Sequence, residues 1–413
     1  MLRFLLTTLI KYAMITRFKH PKNSNSMTDS PYHYCYKTLI NCGNKAIKLF
    51  SPILLISLIL LSCHSASVAP VEHSQRSNHH VDIIVHDPSM IKQDDTYYMF
   101  NTGTGITNWR SDDMENWERL DPIFEEAPEW TEAVVPGFEN HIWAPSVSYH
   151  EGTYYVYYSV SSFGRNNSAI GVVTNETLHP DDPNYEWVDH GIVVESVPGR
   201  DMWNAIDATL AFDDEGMPWL SFGSHWLGIK QVQLQNDLKT VAITPAGNEW
   251  YTIAQRHRYW KLDERDAGDS ANPELDYEEL YPSAIFELNR QSESGAIEAP
   301  FIFKRDGYYY LFVSWDRCCR GADSTYKVVV GRSENINGPF VDKADQKMNY
   351  GGGSLVVKGN ERYSAIGHNS VYTFDGTDYL VAHAYDLGDE GRPKLTILEL
   401  TWDDDGWPVV TLD

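Results

Sequence analysis

The stretch EAPFIFKRDGYYYLFVSW, residues 298–315, contains two apolar segments separated by the polar turn Arg305-Asp306-Gly307. Both segments are short and rich in aromatic residues, and the glycine allows the positive φ that a tight turn between strands requires. The stretch therefore predicts a β-hairpin. Glu298 stands directly before the apolar run from Ala299 to Phe303, where a buried carboxylate is costly unless the site has a use for it.

Four further stretches repeat this pattern of an apolar strand, a polar turn and an aromatic strand. Alignment places five residues at equivalent positions: Asp87, Ala144, Asp207, Ala299 and Asn369. The spacings between them are 57, 63, 92 and 70 residues, which is enough for a four-stranded blade and its loops. The sequence therefore predicts an all-β fold, a five-bladed β-propeller.

The composition agrees with this fold and limits the function. Aromatic residues make up 13% of the chain, with 25 Tyr and 13 Trp, which favours strands and surfaces that stack on sugars. The formal net charge is −25, and binding to nucleic acid or to an anionic membrane surface requires clustered Lys and Arg instead. We expect a neutral ligand and no nucleic-acid partner.

The N-terminal region carries a targeting signal. The nine-residue apolar run from Ile53 to Leu61 follows Lys45 and Lys48 and is too short to span a bilayer, but it has the length of a signal-peptide core. Together with the following Cys63 it resembles a bacterial lipoprotein signal, in which the cysteine is lipidated and anchors the protein in an extracytoplasmic space. A cleaved signal and a secreted protein are the alternative.

We therefore expect three segments along the chain. Residues 1–62 form the signal region, with Met27 as a second candidate start, and residues 63–80 form a small, polar tether. Residues 81–413 form the propeller domain. Apart from the lipid anchor, we expect no membrane contact, and we expect a monomer.

The first residues of the inner strands converge at one mouth of a propeller. This brings together the carboxylates Asp87, Asp207 and Glu298 with His86 and His368. Glycoside hydrolysis needs two separated carboxyl groups and no organic cofactor. Glu298 has the most apolar neighbours, which favours its protonated form and predicts a general acid; Asp87 is then the base, and Asp207 raises the pKa of the acid.

Ordered motifs over nearly all of residues 82–413 resemble glycoside hydrolase family 43, and within it the endo-α-1,5-L-arabinanases. They include HDPS (86–89), WAPS (143–146), NAIDATL (204–210), FGSHWLGIK (222–230) and GHNSV (367–371). The resemblance implies a five-bladed propeller that cleaves arabinan with inversion, with Asp87 as catalytic base, Glu298 as catalytic acid and Asp207 tuning and orienting the acid.

The resemblance also implies ligand-binding residues. His368 matches the histidine that helps hold a calcium ion in the central tunnel of arabinanases; a hydrogen-bonded histidine without metal is the alternative. Trp143 and Phe163 fit sugar stacking, although packing within the blades would explain both. Asn204 and Ser224 are candidates for hydrogen bonds to sugar.

The adjacent Cys318 and Cys319 leave their redox state open. Neighbouring cysteines rarely bond to each other, so the first interpretation is two small side chains packed near a strand end. Free thiols and a vicinal disulfide are both compatible with the sequence.

The mode of attack depends on the segment between Asp207 and Glu298. Its acidic part, residues 264–279, is predicted to form an extended loop. If this loop closes one end of the cleft, it directs the enzyme to the ends of the arabinan chain. The sequence favours endo action. The alternatives are an exo-acting family 43 β-xylosidase or α-L-arabinofuranosidase and, from another class, a non-catalytic glycan-binding surface lipoprotein.

Overall fold

The computed structural model describes residues 78–243, 250–256 and 296–413. The predicted signal region, Cys63 and the loop 264–279 lie outside the described residues. The first strand begins at His79, two residues before the predicted start of the propeller domain. In these three ranges, no helix is both long enough and apolar enough to cross a membrane.

The described residues form strands joined by turns and a few short helices. In chain order the strands are β1 His79–Ile84, β2 Ser89–Gln93, β3 Thr96–Asn101, β4 Gly103–Thr104, β5 Thr107–Ser111, β6 Glu118–Leu120, β7 His141–His150, β8 Thr153–Val160, β9 Ser168–Asn175, β10 Val188–Ser196, β11 Thr209–Phe212, β12 Pro218–Phe222, β13 Ile229–Gln233, β14 Trp250–Ala254, β15 Ile297–Arg305, β16 Tyr308–Trp315, β17 Lys327–Ser333, β18 Ser354–Lys358, β19 Tyr363–Phe374, β20 Thr377–Asp386, β21 Arg392–Trp402 and β22 Pro408–Val409. The helices are α1 Thr131–Val134 and the 3-10 turns Gly321–Asp323, Met348–Tyr350 and Leu387–Asp389.

The strands form five antiparallel sheets, the blades of a five-bladed β-propeller. Blade one has the order β2-β3-β5-β6, blade two β7-β8-β9-β10, blade three β11-β12-β13-β14 and blade four β15-β16-β17-β18. Blade five runs β19-β20-β21-β1, so the first strand pairs with β21 near the chain end and closes the ring. The predicted fold class is confirmed.

Both faces of each blade are buried between neighbouring blades. Successive residues of a strand point to opposite faces, and accordingly Leu311 packs with Trp219 of blade three whereas Phe312 packs with Leu380 of blade five. This double burial explains why β16 consists of aromatic and aliphatic residues apart from Ser314. Because Phe312 is fully buried, Phe312→Ala would cost about 3–5 kcal/mol of stability.

Each blade has a non-glycine residue at positive φ two residues before the regular pairing of its inner strand starts or resumes. These five, which we call the ring residues, are Asp87 (56°), Ala144 (44°), Asp207 (60°), Ala299 (54°) and His368 (51°). Such a conformation costs about 1–3 kcal/mol and persists only where the surroundings enforce it. In blade five the ring residue is His368, so the predicted alignment was wrong by one residue there: the equivalent position is not Asn369.

Candidate active site

The ring residues are tied together from blade to blade through their backbone N–H groups. Each N–H donates to a side chain of the preceding blade: Asp87 to His383 Nδ1 (3.1 Å), Ala144 to Thr102 Oγ1 (2.8 Å), Asp207 to Ser159 Oγ (3.0 Å), Ala299 to Asp207 Oδ2 (3.2 Å) and His368 to Ser314 Oγ (2.9 Å). This closed ring holds the strained backbone at the mouth and directs the predicted site residues toward one another.

Asp87 lies among imidazoles. Its Oδ1 is 2.8 Å from His86 Nδ1 and 2.9 Å from His368 Nδ1, and its Oδ2 accepts a 2.5 Å hydrogen bond from Thr102 Oγ1. Burial raises the pKa of this carboxyl, but the charges and hydrogen bonds of His368 and His86 outweigh burial and hold it well below its usual range. Asp87 is therefore ionised, as predicted for a base.

His368 and His383 lie beside this carboxylate but have opposite pKa shifts. Burial lowers the pKa of His368, but Asp87 beside it raises the value to about 9. Burial and the neighbouring His86 lower the pKa of His383 well below its usual range. His383 is therefore neutral, and the 3.7 Å between its Nδ1 and Asp87 Oδ1 is not an ion pair.

Glu298 is buried and held by hydroxyl groups. Tyr326 donates to its Oε1 at 2.6 Å and Ser224 to its Oε2 at 2.7 Å, and His225 Nε2 lies 3.9 Å from Oε2. The sequence predicted the most apolar setting of the three carboxyls here, and that was wrong. The neighbours in sequence are apolar, but the groups that reach the carboxyl come from other strands and are polar.

Asp207 holds the proton in this cluster. Burial is the largest cause that raises its pKa; His368 opposes it, the nearby Glu298 and Asp87 raise it further, and the result is about 8. A carboxyl that shares a buried site with other carboxyls cannot ionise freely. The site therefore contains one ionised carboxyl, Asp87, and one that keeps a proton at neutral pH.

The predicted sugar-binding residues lie in different settings. Trp143 is half-buried on β7 at the position equivalent to Glu298, one residue before the ring residue of its blade. Phe163, 81% exposed, lies on the loop between β8 and β9. Asn204 Oδ1 accepts a hydrogen bond from Ser168, and the Ser224 hydroxyl donates to Glu298. The contacts of Asn204 and Ser224 thus lie within the protein, and their roles toward sugar stay predictions.

The sequence interpretation missed Thr102, Tyr326 and His383 as contacts of the carboxyls. A signal existed for the residues that accept the ring N–H groups. Counted from the start of the second strand, the seventh residue is Thr102, Ser159, Ser314 or His383 in blades one, two, four and five. No comparable signal pointed to Tyr326. It directly precedes β17, the third strand of blade four, and contacts Glu298 on the first strand of the same blade.

Two groups of residues could be considered for a metal. His86, Asp87 and His383 offer atoms within 4.8 Å of one another, but His383 Nδ1 already accepts the Asp87 N–H, so its lone pair is not available. His368 uses Nδ1 toward Asp87 Oδ1, which leaves Nε2 as the nitrogen for a ligand. Together with the nearby carboxyls, His368 is the better-suited residue for a cation such as calcium.

Cys318 and Cys319 form a vicinal disulfide, the second of the two states that the sequence left open. The first interpretation placed two small side chains near a strand end; the pair does follow the end of β16, but the two sulfurs are bonded to each other. The amide N–H of Cys319 donates to the Tyr385 hydroxyl at 2.7 Å, so the disulfide adjoins the imidazoles around Asp87.

Comparisons with known proteins agree with this geometry. Residues 81–408 match Glycosyl hydrolases family 43. The chain is 48% identical over 326 residues to the extracellular exo-α-(1→5)-L-arabinofuranosidase ArbA of Cellvibrio japonicus, covering 79% of this chain and 86% of that protein. It is 36% identical over 329 residues to the extracellular endo-α-(1→5)-L-arabinanase 1 of Bacillus subtilis, covering 79% and 87%. The structure of Cellvibrio cellulosa α-L-arabinanase complexed with arabinohexaose superimposes with a TM-score of 0.70 at 47% identity, covering 80% and 96%.

Proposed function

The chain belongs to glycosyl hydrolase family 43, and on this premise we propose that it hydrolyses the α-1,5-L-arabinofuranosidic bonds of arabinan with inversion. One observation carries the mechanism: Asp87 is held ionised, whereas the raised pKa of Asp207 keeps a protonated carboxyl in the buried surroundings of Glu298. An inverting glycosidase requires this division between a base and an acid.

Asp87 is the base in this proposal. It takes a proton from a water molecule, whose oxygen attacks the anomeric carbon from the face opposite the leaving group. His86 and His368 stabilise the ionised carboxylate at both hydrogen-bond positions of Oδ1. Thr102 occupies Oδ2, so the carboxylate has a fixed orientation before substrate binds.

Glu298 is the acid and protonates the oxygen of the departing sugar as the glycosidic bond breaks. Tyr326 and Ser224 fix the direction of its two oxygens. Burial and the charges of Glu298 and Asp87 raise the pKa of Asp207 to about 8 against the opposing effect of His368, so the carboxyl near Glu298 keeps its proton at neutral pH. Asp207 therefore acts as the tuning residue.

Calcium in the tunnel belongs to this proposal. His368 would hold the ion through Nε2, with water completing a coordination shell that calcium prefers to build from oxygen. A bound cation would supply fixed positive charge next to the carboxyls. His368 must then be neutral, so calcium binding releases its proton.

For the mode of attack, the comparisons leave the predicted endo action open. Because identity is 48% to an exo-acting relative and 36% to an endo-acting one, we propose attack at chain ends, with endo action as the second candidate. Chromatography of the earliest products from linear arabinan separates the two. One accumulating short product supports exo action; long oligosaccharides at early times contradict it.

The same substrates test the reaction class. Cleavage of short aryl glycosides as fast as arabinan would favour a β-xylosidase or α-L-arabinofuranosidase. A non-catalytic glycan-binding protein would bind arabinan without releasing reducing ends. NMR of freshly released sugar gives the anomer: the β-anomer supports inversion, and the α-anomer contradicts it.

We further propose an extracytoplasmic location with a lipid anchor at Cys63. Two relatives are named extracellular enzymes, which supports export. Replacement of Cys63 by Ser should abolish labelling by a radioactive fatty acid and release the enzyme from membranes. Unchanged labelling would exclude Cys63 as the anchor.

A further inference from the structure

The hydroxyl of Tyr385 lies at the centre of a hydrogen-bond network behind Asp87. It is 2.7 Å from the amide nitrogen of Cys319, 3.0 Å from His86 Nε2 and 3.1 Å from His383 Nε2. Each imidazole reaches Asp87 with its other nitrogen: His86 Nδ1 is 2.8 Å from Oδ1, and His383 Nδ1 accepts the Asp87 N–H. Tyr385 is 2% exposed, so water cannot replace these contacts.

The contacts give a consistent arrangement of protons when both imidazoles are neutral. A tyrosine hydroxyl donates one hydrogen bond and accepts two. The Cys319 amide donates to it. His383 accepts the backbone N–H at Nδ1, so its own proton is on Nε2 and also goes to Tyr385. Ser324 forms a further hydrogen bond with the same hydroxyl. With His86 neutral, Tyr385 donates its own proton to His86 Nε2.

This arrangement of protons determines which hydrogen bonds Asp87 forms with His86 and His383. Because His86 accepts at Nε2, its proton lies on Nδ1 and is donated to Asp87 Oδ1. Because His383 carries its proton on Nε2, its Nδ1 is free to hold the N–H of Asp87 in the strained ring conformation. The Tyr385 hydroxyl thus fixes the tautomer of the neutral His86, and it accepts the Nε2 proton of His383, whose tautomer is set by the Asp87 N–H.

We propose that Tyr385 is a positioning residue for the base, acting on Asp87 through His86 and His383, and that the Cys318–Cys319 disulfide fixes Tyr385 through the Cys319 amide. The proposal rests on the proposed function of Asp87. The disulfide restricts the peptide between the two cysteines, and the sulfur of Cys319 lies 3.7 Å from His86 Nε2. The loop after β16 therefore holds the group that orients the base.

The first test is Tyr385→Phe in the full chain, assayed on linear arabinan. Loss of the hydroxyl leaves His86 and His383 without a shared partner, so we expect kcat to fall about tenfold to a hundredfold while KM changes less than twofold. The matched control is Tyr157→Phe, because the Tyr157 hydroxyl is also buried and donates to a backbone carbonyl, that of Leu238. Its kcat should equal that of the wild type.

Wild-type kcat in Tyr385→Phe, or a rise in KM with unchanged kcat, would overturn the proposal. A second comparison applies even if Tyr385→Phe does not fold. His86→Asn retains an N–H where Nδ1–H stood, whereas His86→Leu has none. We expect His86→Asn to keep at least about tenfold more kcat than His86→Leu; equal activities would overturn the proposal.

Reduction of the disulfide tests the link to Cys319. Mild reduction, or the double variant Cys318→Ala/Cys319→Ala, should lower wild-type kcat about threefold to tenfold and have no further effect on Tyr385→Phe, since both changes act through one hydroxyl. If loss of the disulfide lowers kcat by the same factor in the wild type and in Tyr385→Phe, the disulfide does not act through Tyr385. The proposed function fails separately, if the wild type releases no sugar from arabinan or if Asp87→Asn remains fully active.

Discussion

The two sides of the mouth hold the same functional group in different surroundings. On the side of blades one and five, Asp87 is surrounded by His86, His368 and His383. On the side of blades three and four, Glu298 meets hydroxyl groups, and burial together with the charges of Glu298 and Asp87 raises the pKa of Asp207 to about 8. Imidazoles keep a carboxylate ionised, whereas burial beside other carboxyls retains a proton. The neighbours, and not the residue type, decide that Asp87 is ionised and that Asp207 keeps its proton.

The largest loss of activity is expected when the carboxyl on either side of the mouth is removed in turn. Asp87→Asn and Glu298→Gln keep the shape of each side chain but remove the base or the proton donor. We expect either change to lower kcat on linear arabinan by about a thousandfold or more. Binding of arabinan should persist in Glu298→Gln. Near-wild-type turnover in either variant would contradict the assigned roles.

Asp207→Asn removes the second carboxyl from the acid side while leaving the assigned donor and base. We expect kcat to fall about a hundredfold, because Glu298 loses the partner that retains and directs its proton. Asp378→Asn is the control: Asp378 is also buried, and it pairs with Arg305 and accepts from Trp402. If both variants lose activity equally, the effect of Asp207→Asn is structural.

Tyr326→Phe sharpens the comparison by changing only a neighbour of the acid. It removes the hydrogen bond to Glu298 Oε1, and we expect kcat to fall about tenfold with little change in KM. Tyr310→Phe removes a similarly buried hydroxyl that donates to the Gly406 carbonyl and should keep wild-type kcat. A larger effect of the Tyr310 change would argue that buried hydroxyls matter here for packing alone.

The sequence was sufficient for the fold and for the position of the carboxyls. Hairpin turns and aromatic strands recur at blade spacing. The repeat is visible in the sequence because every blade buries both of its faces and therefore needs apolar and aromatic strands. Asp87 and Asp207 were found for the same reason, since both occupy the ring position. In blade five the alignment missed this position by one residue, because the backbone irregularity that turns His368 inward has no sequence signature.

The surroundings of the carboxyls could not be derived from neighbouring residues in the chain. Glu298 is flanked by apolar residues, yet Tyr326 and Ser224 reach it from other strands. Tyr385 is separated from His86 by 299 residues and still bonds to it. Protonation states depend on such contacts between distant parts of the chain, so the sequence located the three carboxyls but misjudged the setting of Glu298.

The smallest expected effect is on stability, measured in chelator-treated protein. The pKa of Asp207 is raised from its ordinary value of 3.8 to about 8 in the folded protein. Between these pH values, the folded protein keeps a proton that the unfolded protein has lost. Stability therefore falls as pH rises through this window. Asp207→Asn removes that loss, and its Tm should exceed that of the wild type by about 2 °C or more at pH 8.5, with a smaller gain at pH 5. An equal difference at both pH values would contradict the raised pKa.

The pH dependence of kcat/KM on arabino-oligosaccharides, measured side by side for the wild type and Asp207→Asn, tests the division of protons most directly. We predict a bell-shaped wild-type profile with an alkaline limb near pH 8, the value about which Asp207 titrates, and an acidic limb set by the low pKa of Asp87. In Asp207→Asn the alkaline limb should move to lower pH while the acidic limb stays in place. An alkaline limb that does not move would contradict the proposal that Asp207, with its raised pKa, tunes Glu298.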